Sequence, residues 1–182
     1  MFSRLGLSPS HPDDALSHSP GLMTGTAGTG AIACLLAHTG DLPRHEAEAI
    51  IQEAARRLDR PEPPARPGMW EGATGQAVFW LLADLLSFIP GSRHRARSLL
   101  IQDAAQLATL VPPHAGGLDG RLGWLAVVAA LEGLTELTVP TDLKESMRPT
   151  PSASTAGSSV RNGAIGSLLA LSVLRLAGSP LP

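Results

Sequence analysis

The chain has 182 residues, of which 43% are hydrophobic and only 16% are charged, and its net charge is −2 at neutral pH. This length suits one domain with its own core, while the small charge offers no basic surface for nucleic acid, and the single cysteine excludes a disulfide framework. No charge-free apolar run reaches the ~18–20 residues of a membrane helix, so we expect a cytoplasmic protein without nucleic-acid or membrane partners.

Two tails flank a repeated pattern. Residues 1–19 combine prolines with small polar and acidic residues and are expected to form a flexible tail, and residues 178–182 form a second one. Between them lies one repeat domain, residues 20–177, in which glycine-rich segments recur. Their central glycines, Gly25, Gly72, Gly120 and Gly163, are separated by steps of 47, 48 and 43 residues. Such regular steps indicate four units, near 21–58, 68–110, 116–147 and 159–177.

Each glycine-rich segment leads into an apolar stretch rich in leucine and alanine. These stretches are 29–37, 76–88, 122–137 and 167–176. They are apolar on nearly every side, which is typical of helices buried on more than one face. Their length and their few β-branched residues disfavour buried strands.

Amphipathic helices are predicted between the apolar ones, over 44–58 and 92–110. Their apolar residues keep the helical spacing of three and four, and most charges in the first of them lie off that stripe. A short helix is predicted over 141–147, and the proline- and serine-rich stretch 148–159 is expected to be a flexible linker. Alternation of buried and amphipathic helices predicts an all-α fold of stacked helical hairpins.

Polar residues at the glycine-rich openings are the candidate substrate-binding residues. A helix start presents free N–H groups and a partial positive charge, and stacked units would bring these ends to one side of the protein. The candidates are Glu71, Asp119, Arg121, Arg161 and Asn162. The alternative interpretation is that these side chains cap helices or face solvent.

The first unit has a distinctive order of features. A G-L-x-x-G-x-A-G-x-x-A start at Gly21 precedes a leucine- and alanine-rich helix, a Thr39-Gly40-Asp41 turn and an amphipathic helix. This order resembles the opening repeat of the lanthionine synthetase C-like (LanC-like) family, and the resemblance covers roughly residues 20–177. It implies part of a double-layered α/α toroid, which in the family has seven helical pairs. Family enzymes are zinc cyclases that add a peptide cysteine thiolate to a dehydrated serine or threonine.

The sequence departs from this family at the catalytic positions. The family's zinc-binding W-C-x-G and C-H-G motifs are missing, and Trp70-Glu71-Gly72 has glutamate in place of the cysteine. Gly116 and Asn162 stand where members carry an aspartate and a histidine. Without zinc nothing lowers the thiol pKa, and without the histidine no group protonates the enolate. We therefore expect no catalytic residue, no metal site and no cofactor.

Cys34 and His38 are the one local pair with metal-ligand spacing, four residues apart on a predicted helix. Two ligands do not make a site, and Cys34 lies within an apolar stretch. A small buried cysteine is therefore the favoured interpretation.

Two functions stay open at this point. One is a zinc-free, catalytically incomplete cyclase-like subunit of lanthipeptide-type biosynthesis that binds a peptide or a partner protein. The other is a stand-alone helical-repeat interaction module with no link to peptide cyclisation. A third and weaker hypothesis is a toroid enzyme for sugars or lipids, with Glu71 and Asp119 as a carboxylate pair.

The two ends of a four-unit stack predict an interface. A closed ring covers both flanks of every inner helix, whereas four units leave one flank open at each end. On the first helix the open flank includes Ile32, Leu35 and Leu36, and on the fourth it includes Leu168, Leu169, Leu171 and Leu174. Contiguous apolar surface of this kind usually marks an interaction site. We expect a homodimer or a complex with a second chain through these ends, unless the N-terminal tail or residues 140–159 fold over them.

Overall fold

A computed structural model describes residues 20–22, 25–59, 67–110 and 120–148. This part of the chain forms six helices and no strand, which confirms the all-α prediction for these residues. The helices are α1 (Thr26–Thr39), α2 (Arg44–Leu58), α3 (Ala73–Leu85), α4 (Arg93–Leu110), α5 (Arg121–Leu134) and α6 (Thr141–Met147). Both predicted tails, most of the predicted linker and the predicted fourth unit lie outside the described residues.

The helices pack as consecutive pairs. Helix α1 packs on α2, α3 on α4, and α5 on α6, while α3 also contacts both α1 and α5. Helices α3 and α5 bury nearly all of their side chains, whereas α2 buries a single stripe. The stripe consists of Ala47, Ile51, Ala54, Ala55 and Leu58. The described part of the chain is thus a row of helical pairs with α3 at its centre.

The central glycine of each opening is the N-cap of the helix that follows. Gly25, Gly72 and Gly120 have φ of −121°, −106° and −115° with extended ψ, and none of the three helices has a side-chain cap hydrogen bond. Helices α1 and α3 therefore begin three residues before the predicted positions 29 and 76. The third glycine, which the sequence analysis placed ahead of the helix, lies inside its first turn.

The turns that end α1 and α3 repeat the same hydrogen bonds. The N–H groups of Asp41 and Leu42 donate to the Leu36 carbonyl at 2.8 and 3.1 Å. At the equivalent positions 47 residues later, the N–H groups of Phe88 and Ile89 donate to the Ala83 carbonyl at 2.8 and 2.9 Å. The predicted end of α3 at residue 88 is wrong, because the helix stops at Leu85 and the chain turns through Ser87, whose φ is 58°.

The core between the pairs is built around two aromatic residues. The Phe79 ring occupies the space that a Cβ on Gly30 would need, only 2.4 Å away, so the missing side chain lets α3 approach α1 closely. Trp124 is fully buried, and its Nε1 donates to the Leu100 carbonyl at 2.8 Å.

The arginines at the start of α4 connect neighbouring helices. Each of them contacts a group on another element. Arg93 Nε lies 2.7 Å from the Asp84 carboxylate, and Arg97 Nε donates to the Thr138 carbonyl at 2.5 Å. Arg95 donates to the Leu58 carbonyl at 2.9 Å, forms an ion pair with Asp59 and covers the Trp80 ring.

Candidate functional site

The openings of the first two units share one backbone arrangement, which we call the glycine clasp. It comprises Gly21, Gly25 and Gly28 in unit one, and Gly68, Gly72 and Gly75 in unit two. In each clasp the third glycine donates its N–H to the carbonyl of the first, at 3.2 Å in unit one and 3.3 Å in unit two. The chain before each helix is thereby folded back over the helix's first turn.

Steric crowding explains why the third residue of each clasp is glycine. A Cβ on Gly28 would lie 1.8 Å from the Leu22 carbonyl oxygen, and one on Gly75 would lie 2.0 Å from Met69 O. Real Cβ atoms essentially never approach closer than 3.0 Å. Gly68 also has a φ of 113°, a conformation that favours glycine. The missing side chains of Gly28 and Gly75 therefore let the preceding loop lie directly against the first turn of each helix.

The two clasps lie side by side. Leu22 N–H donates to the Trp70 carbonyl at 2.8 Å. A Cβ on Gly21 would lie 2.8 Å from the Glu71 Cα atom, so Glu71 is packed by its backbone against unit one. Glu71 itself is half-buried, directly before the N-cap of α3. The openings of the first two units therefore meet, as the stacking of units predicts.

The amino end of α3 is already occupied by a carboxylate of the protein. Asp103 on α4 is fully buried, and its Oδ2 accepts the N–H groups of Gly68 and Thr74, both at 3.1 Å. The Thr74 hydroxyl donates to the same oxygen at 2.5 Å. Asp103 was not among the residues predicted from the sequence. The signal was its register, three and four residues after Leu100 and Leu99, which places it on the apolar stripe of α4.

The amino end of α5 carries a buried cation instead. Arg121 is the first residue of α5 and only 8% exposed. Its Nη1 donates to the Ser146 carbonyl at 3.1 Å, near the carboxyl end of α6. Its Nε is buried and has no hydrogen-bond partner among the residues that the structure describes. No acidic residue lies in the first turn of α5, and no carboxylate of the described residues forms an ion pair with Arg121.

The structure describes two of the five candidate site residues, Glu71 and Arg121. It places them against different neighbours, because Glu71 packs on unit one and Arg121 packs on the end of α6. The other three candidates, Asp119, Arg161 and Asn162, lie outside the described residues, as does Gly116. The hypothesis of a Glu71–Asp119 carboxylate pair therefore stays a hypothesis.

Cys34 and His38 lie one turn apart on α1 but differ in burial. Cys34 is buried in the core, where desolvation raises the pKa of its thiol to about 12, whereas His38 is exposed. Within the described segments, no group of three or more histidine, cysteine, aspartate or glutamate residues could hold a metal ion. The interpretation of Cys34 as a small core residue is confirmed.

One face of α1, the α1 flank, is exposed to solvent. It consists of Ile32, Leu35 and Leu36, whose exposed fractions are 58%, 47% and 39%. Forty-seven residues on, Phe79 and Ala83 are fully buried and Leu82 is half-buried. The prediction that this flank is uncovered is confirmed. The matching residues predicted for the fourth unit, Leu168, Leu169, Leu171 and Leu174, lie outside the described residues.

Comparisons with known proteins were made at three levels. No family model, no curated protein and no solved structure matches this chain. Among the helices that the structure describes, none is both long enough and apolar enough to cross a membrane.

Proposed function

We propose that this chain is a LanC-like, zinc-free and catalytically incomplete subunit of lanthipeptide-type biosynthesis that binds a peptide or a partner protein in the cytoplasm. In this proposal α1, α3 and α5 are inner helices of a partial α/α toroid. Three observations support it: the clasps, the glycine N-caps and the turn hydrogen bonds recur at matching positions of successive units. The contacts of α3 with both α1 and α5 also agree with an inner row.

The α1 flank is the observation that carries a binding function. Its three large side chains lie at helical spacings of three and four and are exposed to water, at a cost of roughly 25 cal/mol for each Å2 that could be buried. The residue equivalent to Ile32 in unit two is Phe79, whose ring packs on Gly30 of the preceding pair. A helix with small residues on its facing side would cover the α1 flank in the same way.

The second candidate function is an interaction module unrelated to peptide cyclisation. The α1 flank favours it as well, because a docking surface of this kind uses none of the groups of a zinc cyclase. The two functions differ in their biological setting. A precursor peptide and a dehydratase encoded beside this chain's gene would favour the first, and a different neighbourhood would favour the second.

The binding test compares two substitutions at similar exposure. Ile32→Asp charges the α1 flank, and Leu134→Asp charges a side chain on α5 that is 60% exposed and lies outside the flank. We expect Ile32→Asp to weaken binding of the dehydrated precursor peptide by about tenfold or more, measured by fluorescence anisotropy, and Leu134→Asp to leave it unchanged. Equal effects of the two substitutions, or a wild-type chain that does not bind the peptide, would contradict peptide binding through this flank.

Light scattering on the same proteins tests whether a second copy of this chain covers the α1 flank. A dimer that Ile32→Asp dissociates and Leu134→Asp preserves would show that the flank joins two chains.

The catalytic part of the proposal has its own test, because the protein alone is expected to close no thioether ring in the dehydrated peptide. Ring formation that depends on this chain would overturn it, and so would one tightly held zinc ion per chain in elemental analysis.

A further inference from the structure

The amino ends of α3 and α5 are built alike but are compensated differently. Both helices have a glycine N-cap without a side-chain hydrogen bond, and neither has an acidic residue in its first turn. At α3 the Asp103 carboxylate accepts the Thr74 N–H and so offsets the partial positive charge of the helix end. At α5 the described residues supply no carboxylate, and Arg121 adds a full positive charge to the same end.

Among the described residues, none supplies a counter-charge to Arg121. The residue is more than nine-tenths buried, and the one hydrogen bond of its guanidinium goes to the neutral Ser146 carbonyl. That contact agrees with the negative end of α6 but satisfies only one of the five N–H donors. The buried Nε has no partner. A buried charge that lacks an opposite charge is costly, so the site favours an anion.

We propose that the amino end of α5 and the Arg121 guanidinium bind a carboxylate group of a ligand. A carboxylate matches the planar fork of a guanidinium, and the partial positive charge at the amino end of a helix favours the same anion. The chain itself uses a carboxylate for this purpose at α3, where Asp103 takes the corresponding place. In terms of the proposed function, which this inference deepens, the ligand group is an acidic side chain or the C-terminal carboxylate of a bound peptide.

The experiment is an NMR titration of the full chain that follows the amide signals of residues 120–123 and the Nε–H signal of Arg121. The probes are acetate, inorganic phosphate and a short peptide with acidic side chains, each at constant ionic strength. We expect acetate and the peptide to shift these signals, with the peptide binding more tightly than acetate. Shifts with phosphate alone, or no shift with any probe, would overturn the carboxylate assignment.

Matched variants separate binding from structural effects. Arg121→Gln is expected to reduce carboxylate affinity by about tenfold or more, and Arg121→Lys to restore part of it. Arg97→Gln is the control, since it also removes an arginine that donates to a backbone carbonyl, here that of Thr138. Equal losses in Arg121→Gln and Arg97→Gln would overturn the site. Because the wild-type titration stands by itself, a variant that fails to fold does not decide the outcome.

One further variant tests whether the chain itself supplies the carboxylate, and another separates this site from the α1 flank. Asp119 is the acidic residue nearest to Arg121 in the sequence. If only Asp119→Asn protein binds acetate and the wild type does not, the site is filled from within the chain and the proposal is wrong. Ile32→Asp is expected to leave the titration unchanged, so failure of the carboxylate site and failure of docking on the α1 flank are distinguishable.

Discussion

Units one and two have the same backbone framework but different surroundings. Their clasps, their N-cap glycines and their turn hydrogen bonds coincide at a spacing of 47 residues. The side chains on one helix face do not follow this equivalence, because Ile32 is 58% exposed and its counterpart Phe79 is fully buried. The repeat therefore determines the path of the chain, whereas the presence of a preceding helix determines which faces are buried.

The largest effect is expected at the third glycine of each clasp. Gly28→Ala and Gly75→Ala should each lower the free energy of unfolding by about 4 kcal/mol or prevent folding, because the new Cβ meets a carbonyl oxygen. Gly133→Ala in α5 is the control, since nothing lies within 4 Å of its Cβ position, and it should stabilise by up to about 1 kcal/mol. Denaturant unfolding measures all three. A severe loss in only one of the two clasps would break their equivalence.

The second prediction concerns the faces that differ. Phe79→Ala should cost about 3 kcal/mol or more because it leaves a cavity beside Gly30, whereas Ile32→Ala should change the free energy of unfolding by less than about 0.5 kcal/mol. Both are measured by denaturant unfolding at low protein concentration. A cost above about 2 kcal/mol for Ile32→Ala would mean that the α1 flank is covered in solution.

The third prediction concerns the Asp103 carboxylate, which binds the amino end of α3. Asp103→Ala should lower the free energy of unfolding by about 2 kcal/mol, because the donors on Gly68 and Thr74 lose their buried acceptor. Hydrogen exchange should accelerate at the first-turn amides of α3 and not at those of α1. Asp142→Ala, at an exposed position of α6, is the control. Equal acceleration in both helices would indicate general destabilisation.

The smallest effect is a pH dependence specific to unit one, where Cys34 occupies the position that Leu81 has in unit two. Burial raises the folded-state pKa of Cys34 from its ordinary value near 9 to about 12. The unfolded chain therefore releases the thiol proton first, and stability that is fully present below pH 9 declines between pH 9 and 12. Near pH 10 the loss should be about 1 kcal/mol. Cys34→Ala should lack this decline, and identical pH profiles for both proteins would refute the burial of the thiol.

Local patterns in the sequence were sufficient to predict the helices and the glycine-rich openings that precede α1, α3 and α5. The bounds of α2 and α6 agree with the prediction, because an amphipathic stripe and a proline define them. The starts of α1 and α3 were placed three residues late, because the predicted helices began with the apolar stretches, directly after the third glycine. A glycine N-cap with extended φ and ψ needs no special residue, so composition alone did not reveal it.

The contacts between different helices and openings could not be predicted in this way, because they join residues that are distant in the sequence. Asp103 reaches Gly68 across 35 positions, and Arg95 reaches Leu58 across 37. Helical periodicity tells which face of a helix is apolar but not which neighbour a polar residue on that face will meet. Arg121 was identified from its place at an opening, whereas its burial and its contact with Ser146 depend on the packing of α6.

Leu22 has a consequence for the cooperativity of folding. Its carbonyl packs on Gly28 in its own unit, its N–H binds Trp70 of the next unit, and its Cβ would be 3.0 Å from a Cβ on Gly75. One residue thus takes part in the internal energy of one unit and in the interface energy of a pair. In a linear array, such shared terms act as nearest-neighbour couplings. A unit that opens removes a hydrogen-bond partner from its neighbour, so units one and two should melt as a single cooperative block.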